Sequence, residues 1–307
     1  MGALVADTIG GDDVARLPAH RQPLGDGRLG AGIAAAGGDE PRQRTAAHTP
    51  LQVVYCDDSL IAVNKPSGLL VHRSWVDKDT TDFALQRVRA LTGRRVYPVH
   101  RLDRPTSGVL LFAFTGEAAR AVQAQFEAGA FEKVYLAVVR GWTEPAGRID
   151  HALKDDEKLR NGCIAERPAL TEYERLAIAE LAAAIETYPT ARFSLVRLSP
   201  RTGRSRQLRR HMAHIAHPII GDTSHGRGAY NRWFREHLDC HRLLLHALSV
   251  SLRHPADGAR LVITAPVADA SMRRALAHLG FAERAAGLSD VYRPGAGAPP
   301  RLSPYTL

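Results

Sequence analysis

The chain has 307 residues, 45% of them hydrophobic, and 41 Lys and Arg against 32 Asp and Glu give it a net charge of +9. That length carries one large domain or two modest ones. No apolar run approaches the roughly 20 residues of a membrane span, and the first 25 residues, with Asp7, Asp12 and Asp13, lack the apolar centre of a secretory signal. Cys56, Cys163 and Cys240 lie too far apart for a disulfide scaffold or a cysteine zinc site. A cytoplasmic protein without membrane attachment is expected.

Residues 1–49 are rich in Gly, Ala, Asp and Arg, without sustained periodicity, and read as a disordered extension. Gly25-Asp26-Gly27-Arg28-Leu29-Gly30 is formally a G-x-G-x-x-G, but no strand precedes it and no helix follows, so no dinucleotide site is expected. From Leu51 the texture changes. Gln52–Tyr55 and Leu60–Asn64 predict strands around the Asp57-Asp58 turn. Thr81 is placed to cap a helix running to Leu91, with Gly93 just past its end. Val109–Phe114 predicts a strand, Glu117–Phe126 a helix and Lys133–Val139 a strand, while Arg148–Pro168 reads as a polar loop. Strands are predicted over Thr171–Ile178 and Arg192–Ser199, then a helix over Arg204–Ala216 ended by Pro218. Strands over Leu243–Leu252 and Leu261–Thr264 and a last helix over Ala270–Leu279 complete the pattern. Hairpin-like spacing outweighs βαβ alternation, which predicts an α+β domain over 50–285, with a mixed, mostly antiparallel sheet and flanking helices. Residues 286–307 read as a flexible tail.

The positive charge is local. Residues 192–242 hold 11 Arg and six His against three acids, so this segment contributes +8 of the +9. With 36 Arg and five Lys in the chain, codon bias explains Arg over Lys but not this concentration. A localised basic surface is the footprint of a polyanion partner.

His100-Arg101-Leu102-Asp103-Arg104-Pro105-Thr106-Ser107-Gly108, followed by Val109-Leu110-Leu111-Phe112-Ala113-Phe114, sets one carboxylate between two arginines on a Pro-Thr-Ser-Gly turn that enters a core strand. Nearby cations favour the ionised carboxylate, which can then act as nucleophile or base. This stretch resembles the H-R-L-D-x-x-T-S-G motif of the RluA-type pseudouridine synthases. Three more segments extend the resemblance in the family's order. They are Ile61–Gly68, Lys133-Val134-Tyr135-Leu136-Ala137, and Thr202–His211 (Thr-Gly-Arg-Ser-Arg-Gln-Leu-Arg-Arg-His) with the following His217-Pro218-Ile219-Ile220-Gly221-Asp222.

The resemblance implies the pseudouridine synthase catalytic fold and a redox-neutral isomerisation. C1′–N1 of uridine breaks, the uracil turns, and C5 joins C1′, with no metal and no nucleotide cofactor. It implies Asp103 as the catalytic carboxylate, Arg209 as its partner, and Tyr135 as the aromatic on the target base, a candidate for removing the C5 proton. Arg101 would fill the stack left by the flipped uridine, and Arg204, Gln207 and Arg210 would bind RNA phosphates. Arg206 stands where the family has His, and an imidazole's proton chemistry is lost there. Leu70-Val71-His72-Arg73-Ser74-Trp75-Val76-Asp77, with Gly221-Asp222-x-x-His225-Gly226 and Asn231-Arg232, resembles the TruC branch, the tRNA pseudouridine(65) synthases. The implied partner is tRNA, with ribosomal RNA as the alternative, and no protein partner is implied.

Two rivals belong to other classes. A non-catalytic RNA-binding protein accounts for the basic segment but not for Asp103, whose charge repels phosphate. A metal-dependent hydrolase accounts for His211, His214 and His217, but on a helix the outer two lie about 120° apart and no acidic third ligand is near. No metal site is expected.

Overall fold

The computed structural model describes residues 14–17, 51–72, 82–158 and 164–291. Leu60–Lys65 and Ser107–Ala113 are buried along their whole length, as their apolar runs Leu60–Val63 and Val109–Ala113 in the middle of a sheet require. They are β3 and β5. Before them lie β1 (Val14–Leu17), β2 (Gln52–Cys56) and, between them, β4 (Tyr97–Pro98). After them come β6 (Glu132–Arg140), β7 (Ala146–Asp150), β8 (Leu153–Lys158), β9 (Ile164–Arg167), β10 (Leu170–Leu181), β11 (Ala191–Pro200), β12 (Leu245–Arg253) and β13 (Arg260–Thr264).

The main sheet runs β1-β10-β11-β6-β12-β5-β3-β2, with β13 beside β12, β4 beside β5 and β7 beside β10, while β8 and β9 form a separate hairpin. Only the β1–β10 and β12–β5 pairs are parallel among the described residues, so the sheet is mixed and mostly antiparallel as expected.

Six helices are described. In α1 (Ala84–Thr92) Gly93 closes the C-terminus at φ +62°, the left-handed cap that glycine takes without penalty. Thr115 caps α2 (Gly116–Glu127) through Ala118 N, and Asp269 caps α5 (Ala270–His278) through Met272 N. The others are α3 (Gln207–His214), α4 (Gly228–Leu238) and α6 (Ala282–Val291).

Alternation along the strands assigns the helices to faces. Leu60 and Ala62 pack with Val122 of α2, and Leu136 and Val138 with Phe234, Met272 and Phe281 of the α4–α6 region. The intervening residues Ile61 and Val63 pack with Val88 of α1, and Ala137 and Val139 with Leu208 and Met212 of α3. Tyr135 touches both of these last two clusters, so it stands between α1 and α3 on one face.

Several expectations are corrected. Arg148–Pro168 is not a loop: it contains parts of β7 and the whole β8–β9 hairpin, which the sequence conceals because Lys154, Asp155, Asp156 and Glu157 leave no alternating apolar face. Helix α3 starts at Gln207, not Arg204, because Arg206 takes a left-handed conformation (φ 51°) ahead of it. Ala216, also left-handed (φ 63°), turns the chain before Pro218 is reached. Within the expected disordered extension, Val14–Leu17 pairs with Ile178–Leu181 at the sheet edge; backbone pairing at an edge needs little apolar content. Helix α6 carries order to Val291, past the expected start of the tail. The G-x-G-x-x-G, Thr81, Arg73–Asp77 and Cys163 lie outside the described residues.

Candidate active site

Asp103 sits where the chain leaves β4 and turns into β5. Leu102, 7% exposed, anchors the turn in the α1-side cluster, and Thr106 N donates to the Asp103 carbonyl at 3.0 Å. Behind it, His100 Nε2 accepts from Leu111 N at 3.0 Å. Burial, then Lys133, pushes the His100 pKa down to about 3, so this imidazole stays a neutral acceptor. The Asp103 side chain remains 28% exposed, and its Oδ2 lies 3.6 Å from Arg209 Nη1. One carboxylate is thus held at a rim with one face toward a fixed cation.

Arg209, on α3, is itself fixed. Its Nε donates to Asp222 Oδ2 at 2.7 Å and its Nη2 to Oδ1 at 2.8 Å, a bidentate pair with Asp222 almost wholly buried. Asp222 Oδ1 also accepts from Ser224 N and His225 N. Burial alone would raise this carboxyl, but Arg209 and the two backbone N–H groups outweigh it and hold Asp222 below the ordinary carboxylate range. The turn is tight: Gly221 has φ +82°, and a Cβ there would sit 1.9 Å from the Arg242 carbonyl oxygen. Asn231 clamps it, accepting from Gly221 N and donating to the Asp222 carbonyl, both at 2.8 Å. Tyr135 lies on the same face. Burial, then the charge of Asp103, raises its phenol well above the ordinary value.

The fold therefore brings Asp103, Tyr135 and Arg209 together from three distant parts of the chain. A family model described as RNA pseudouridylate synthase matches residues 59–214, a span that contains all three. The chain belongs to that family. It is accordingly an enzyme that isomerises uridine in RNA. The "tRNA pseudouridine synthase C" of Pectobacterium carotovorum subsp. carotovorum is 51% identical over 73% of this chain and 61% of its own length. That of Yersinia pestis is 49% identical over 70% of this chain and 86% of its own length. Among solved structures, human RNA Pseudouridylate Synthase Domain Containing 1 aligns with a TM-score of 0.55 and 26% identity over 70% of this chain and 83% of that one.

Of the synthase's expected RNA contacts, Arg101 is exposed next to Asp103. Arg204 Nε donates to the Pro168 carbonyl and Arg210 Nη1 to the Lys154 carbonyl, leaving each guanidinium further donors. Gln207 is a correction. It is 4% exposed; its Oε1 accepts from Thr202 Oγ1 and Arg204 N, and its Nε2 donates to the Leu170 carbonyl and Thr171 Oγ1. With its hydrogen-bonding capacity used inside the fold, Gln207 braces the start of α3 instead of reaching phosphate.

The histidines on and just after α3 are occupied as well. His211 Nε2 donates to the His151 carbonyl and Nδ1 faces Thr171 Oγ1. His217 Nδ1 bonds the Arg140 carbonyl, and His214 stacks on His151 at 3.7 Å. No group of three or more His, Cys, Asp or Glu positioned for a metal occurs among the described residues.

Sequence reasoning missed Asp222 as the partner of Arg209 and missed Lys65. Fully buried, Lys65 Nζ donates to the carbonyls of Pro66 (2.9 Å), Leu69 (2.7 Å) and Arg104 (3.2 Å), binding the turn after β3 to the turn of Asp103. Burial, then Arg242, lowers its pKa to about 7. A lysine closing a strand that opens on the apolar run Leu60–Val63 was the one available signal.

Proposed function

We propose that this synthase converts a single uridine of tRNA, uridine 65 in the acceptor/T-stem region, to pseudouridine, working in the cytoplasm with Asp103 as the reacting carboxylate. The observation that carries this reading is the half-open Asp103 carboxylate facing Arg209, which is locked in turn on buried Asp222. The tRNA substrate is supported by the names of the relatives and by the resemblance of the Leu70–Asp77 and Gly221–Gly226 segments to the tRNA pseudouridine(65) branch.

C1′ and C5 of a stacked nucleotide are out of reach, so the uridine has to leave the stem; Arg101, exposed beside Asp103, fills the space it vacates. Asp103 acts as nucleophile or base while N1–C1′ breaks, the uracil turns, C5–C1′ forms and the C5 proton departs, leaving N1 protonated. Tyr135 packs on the base. Its phenol is kept protonated in the resting site by burial and then by the Asp103 charge, so it takes the C5 proton only as its own proton passes on to N1, after C5–C1′ has formed. That orders proton removal last. Arg204 and Arg210 hold phosphates.

Mapping pseudouridine in RNA from a strain lacking this chain tests the reading. Loss at tRNA position 65 alone, restored by the wild-type chain and not by Asp103→Asn, is the expected result. A loss in ribosomal RNA with tRNA unchanged would overturn the substrate.

A further inference from the structure

The sheet has two halves, and the active site is divided between them. Asp103 leads into β5, which pairs with β3 and through it with β2; Tyr135 lies on β6, and α3, which carries Arg209, packs over β6 and β11 through Leu208 and Met212. In the sheet ladder the halves join where β5 meets β12, through two residue pairs, His246↔Ser107 and Ala247↔Gly108. The backbones touch there: a Cβ on Gly108 (φ +111°) would lie 2.1 Å from the Ala247 carbonyl oxygen.

At that junction runs a buried polar chain. Arg242 Nη2 donates to Ser107 Oγ at 2.8 Å, and Ser107 Oγ lies 2.8 Å from His246 Nδ1. His246 Nε2 lies 3.0 Å from the Ala265 carbonyl. A carbonyl only accepts, so Nε2 carries the proton, Nδ1 is the acceptor, and the Ser107 hydroxyl donates to it. Arg242 is anchored by Nε to the Leu243 carbonyl and by Nη2 to that of Leu245, with Nη1 3.5 Å from the Asp269 carboxylate that caps α5. Ser107, Arg242 and His246 are 3%, 8% and 1% exposed. In such surroundings a lost partner is not replaced by water, so the chain has one set of donors and acceptors.

We propose that Ser107, Arg242 and His246 are positioning residues for the isomerisation: their relay fixes the Asp103 turn of one half-sheet against the half that carries Arg209 and Tyr135. Ser107 closes the turn that Asp103 opens, so a shift at its hydroxyl moves the reacting carboxylate relative to Arg209, whose Nη1 meets it from the other half at 3.6 Å. A displacement of about 1 Å in a reacting group is enough to lower a rate about a hundredfold. The inference rests on the reading of Asp103 as the reacting carboxylate.

The test is single-turnover pseudouridine formation at saturating tRNA, with tRNA affinity and thermal melting, for Ser107→Ala, Ser107→Thr, His246→Phe and Asp103→Asn. The assay is run well below each variant's melting temperature, so every variant is folded. Ser107→Ala and His246→Phe are expected to lose about 10- to 100-fold in single-turnover rate with affinity changed less than about twofold. Ser107→Thr, which keeps the hydroxyl, should recover most of that loss. A role in stability alone would lower the melting temperature and leave the rate of the folded enzyme intact, and that result overturns the proposal. So does a loss in Ser107→Ala that Ser107→Thr fails to recover. If Asp103→Asn still turns over, the reading of Asp103 falls. If Asp103→Asn is inert while Ser107→Ala and His246→Phe run at the wild-type rate, the relay alone falls.

Discussion

The turn of Asp103 and the Arg209–Asp222 pair face each other across one gap, yet they are secured by opposite means. Asp103 is held from behind, by Leu102 in the core, by the Thr106 N–H and by Lys65 bound to the neighbouring carbonyl, so its carboxylate is left partly open. Arg209 is held by its own head group, with two of its nitrogens spent on buried Asp222. A carboxylate that reacts has to keep lone pairs free, whereas a guanidinium that orients commits its N–H donors. The same contrast governs charge: Asp222 is a fully compensated buried anion, and Lys65 is a buried amine hydrogen-bonded to carbonyls alone, which burial brings close to losing its proton at neutral pH.

The most severe way to break the contrast is Asp103→Asn. It keeps shape and removes the anion, so turnover should fall by about 10²- to 10⁴-fold or more, with tRNA affinity equal to or tighter than wild type because a charge that repels phosphate has gone. Rapid-quench assays beside filter binding measure both.

Asp222→Asn strikes the other region. It leaves Arg209 buried with half its compensation, and breaking one partner of a buried pair costs about 3–5 kcal/mol, readable in urea titrations at neutral pH. Because the folded pKa of Asp222 lies below its ordinary 3.8, its stabilisation is present above that value and is lost as pH falls through the folded pKa. The acid limb of the stability profile should therefore be shallower in the variant.

Lys65 responds at the alkaline end. Its folded pKa of about 7 lies below the ordinary 10.5, so between those values the unfolded chain binds the extra proton and stability rises with pH. Wild-type stability minus that of Lys65→Met should climb from pH 7 to 10. A flat difference would mean that the three carbonyls keep this ammonium charged throughout.

The smallest effects concern the rim. If Arg204 and Arg210 each neutralise one phosphate, each change to Ala should reduce the log–log salt slope of tRNA binding by about 0.7 to 0.9. Arg209→Ala should leave the slope nearly unchanged and damage turnover, since its partners are carboxylates. Equal slopes for all three variants would erase the distinction between anchoring and binding arginines.

The Asp103 half was the more legible in the sequence. Val109–Phe114 and Leu60–Val63 are unbroken apolar runs, and a Pro-Thr-Ser-Gly turn announces the bend between Asp103 and its strand. The Arg209 half hid its logic. Asp222 lies 13 positions after Arg209, and no local pattern ties a helix arginine to a carboxylate beyond the next turn. Helix α4 escaped because its buried Tyr230, Asn231 and Phe234 sit among Arg232, Arg235 and Glu236 behind a leading glycine. Gln207 read as a phosphate ligand because composition cannot show that its amide is already bonded within the fold.

The position of β12 between β5 and β6 also sets a schedule for synthesis. β5 and β3 emerge from the ribosome early, but the strand that completes β5's far edge begins at Leu245, about 130 residues later, or about 7 to 26 seconds at usual elongation rates. For that interval the central strand has β4 and the His100 ring at one end of its open side and no ladder along the rest, an edge of the kind that recruits other strands. The enzyme thus gains its two half-sites, and closes its most vulnerable nascent surface, in one late event.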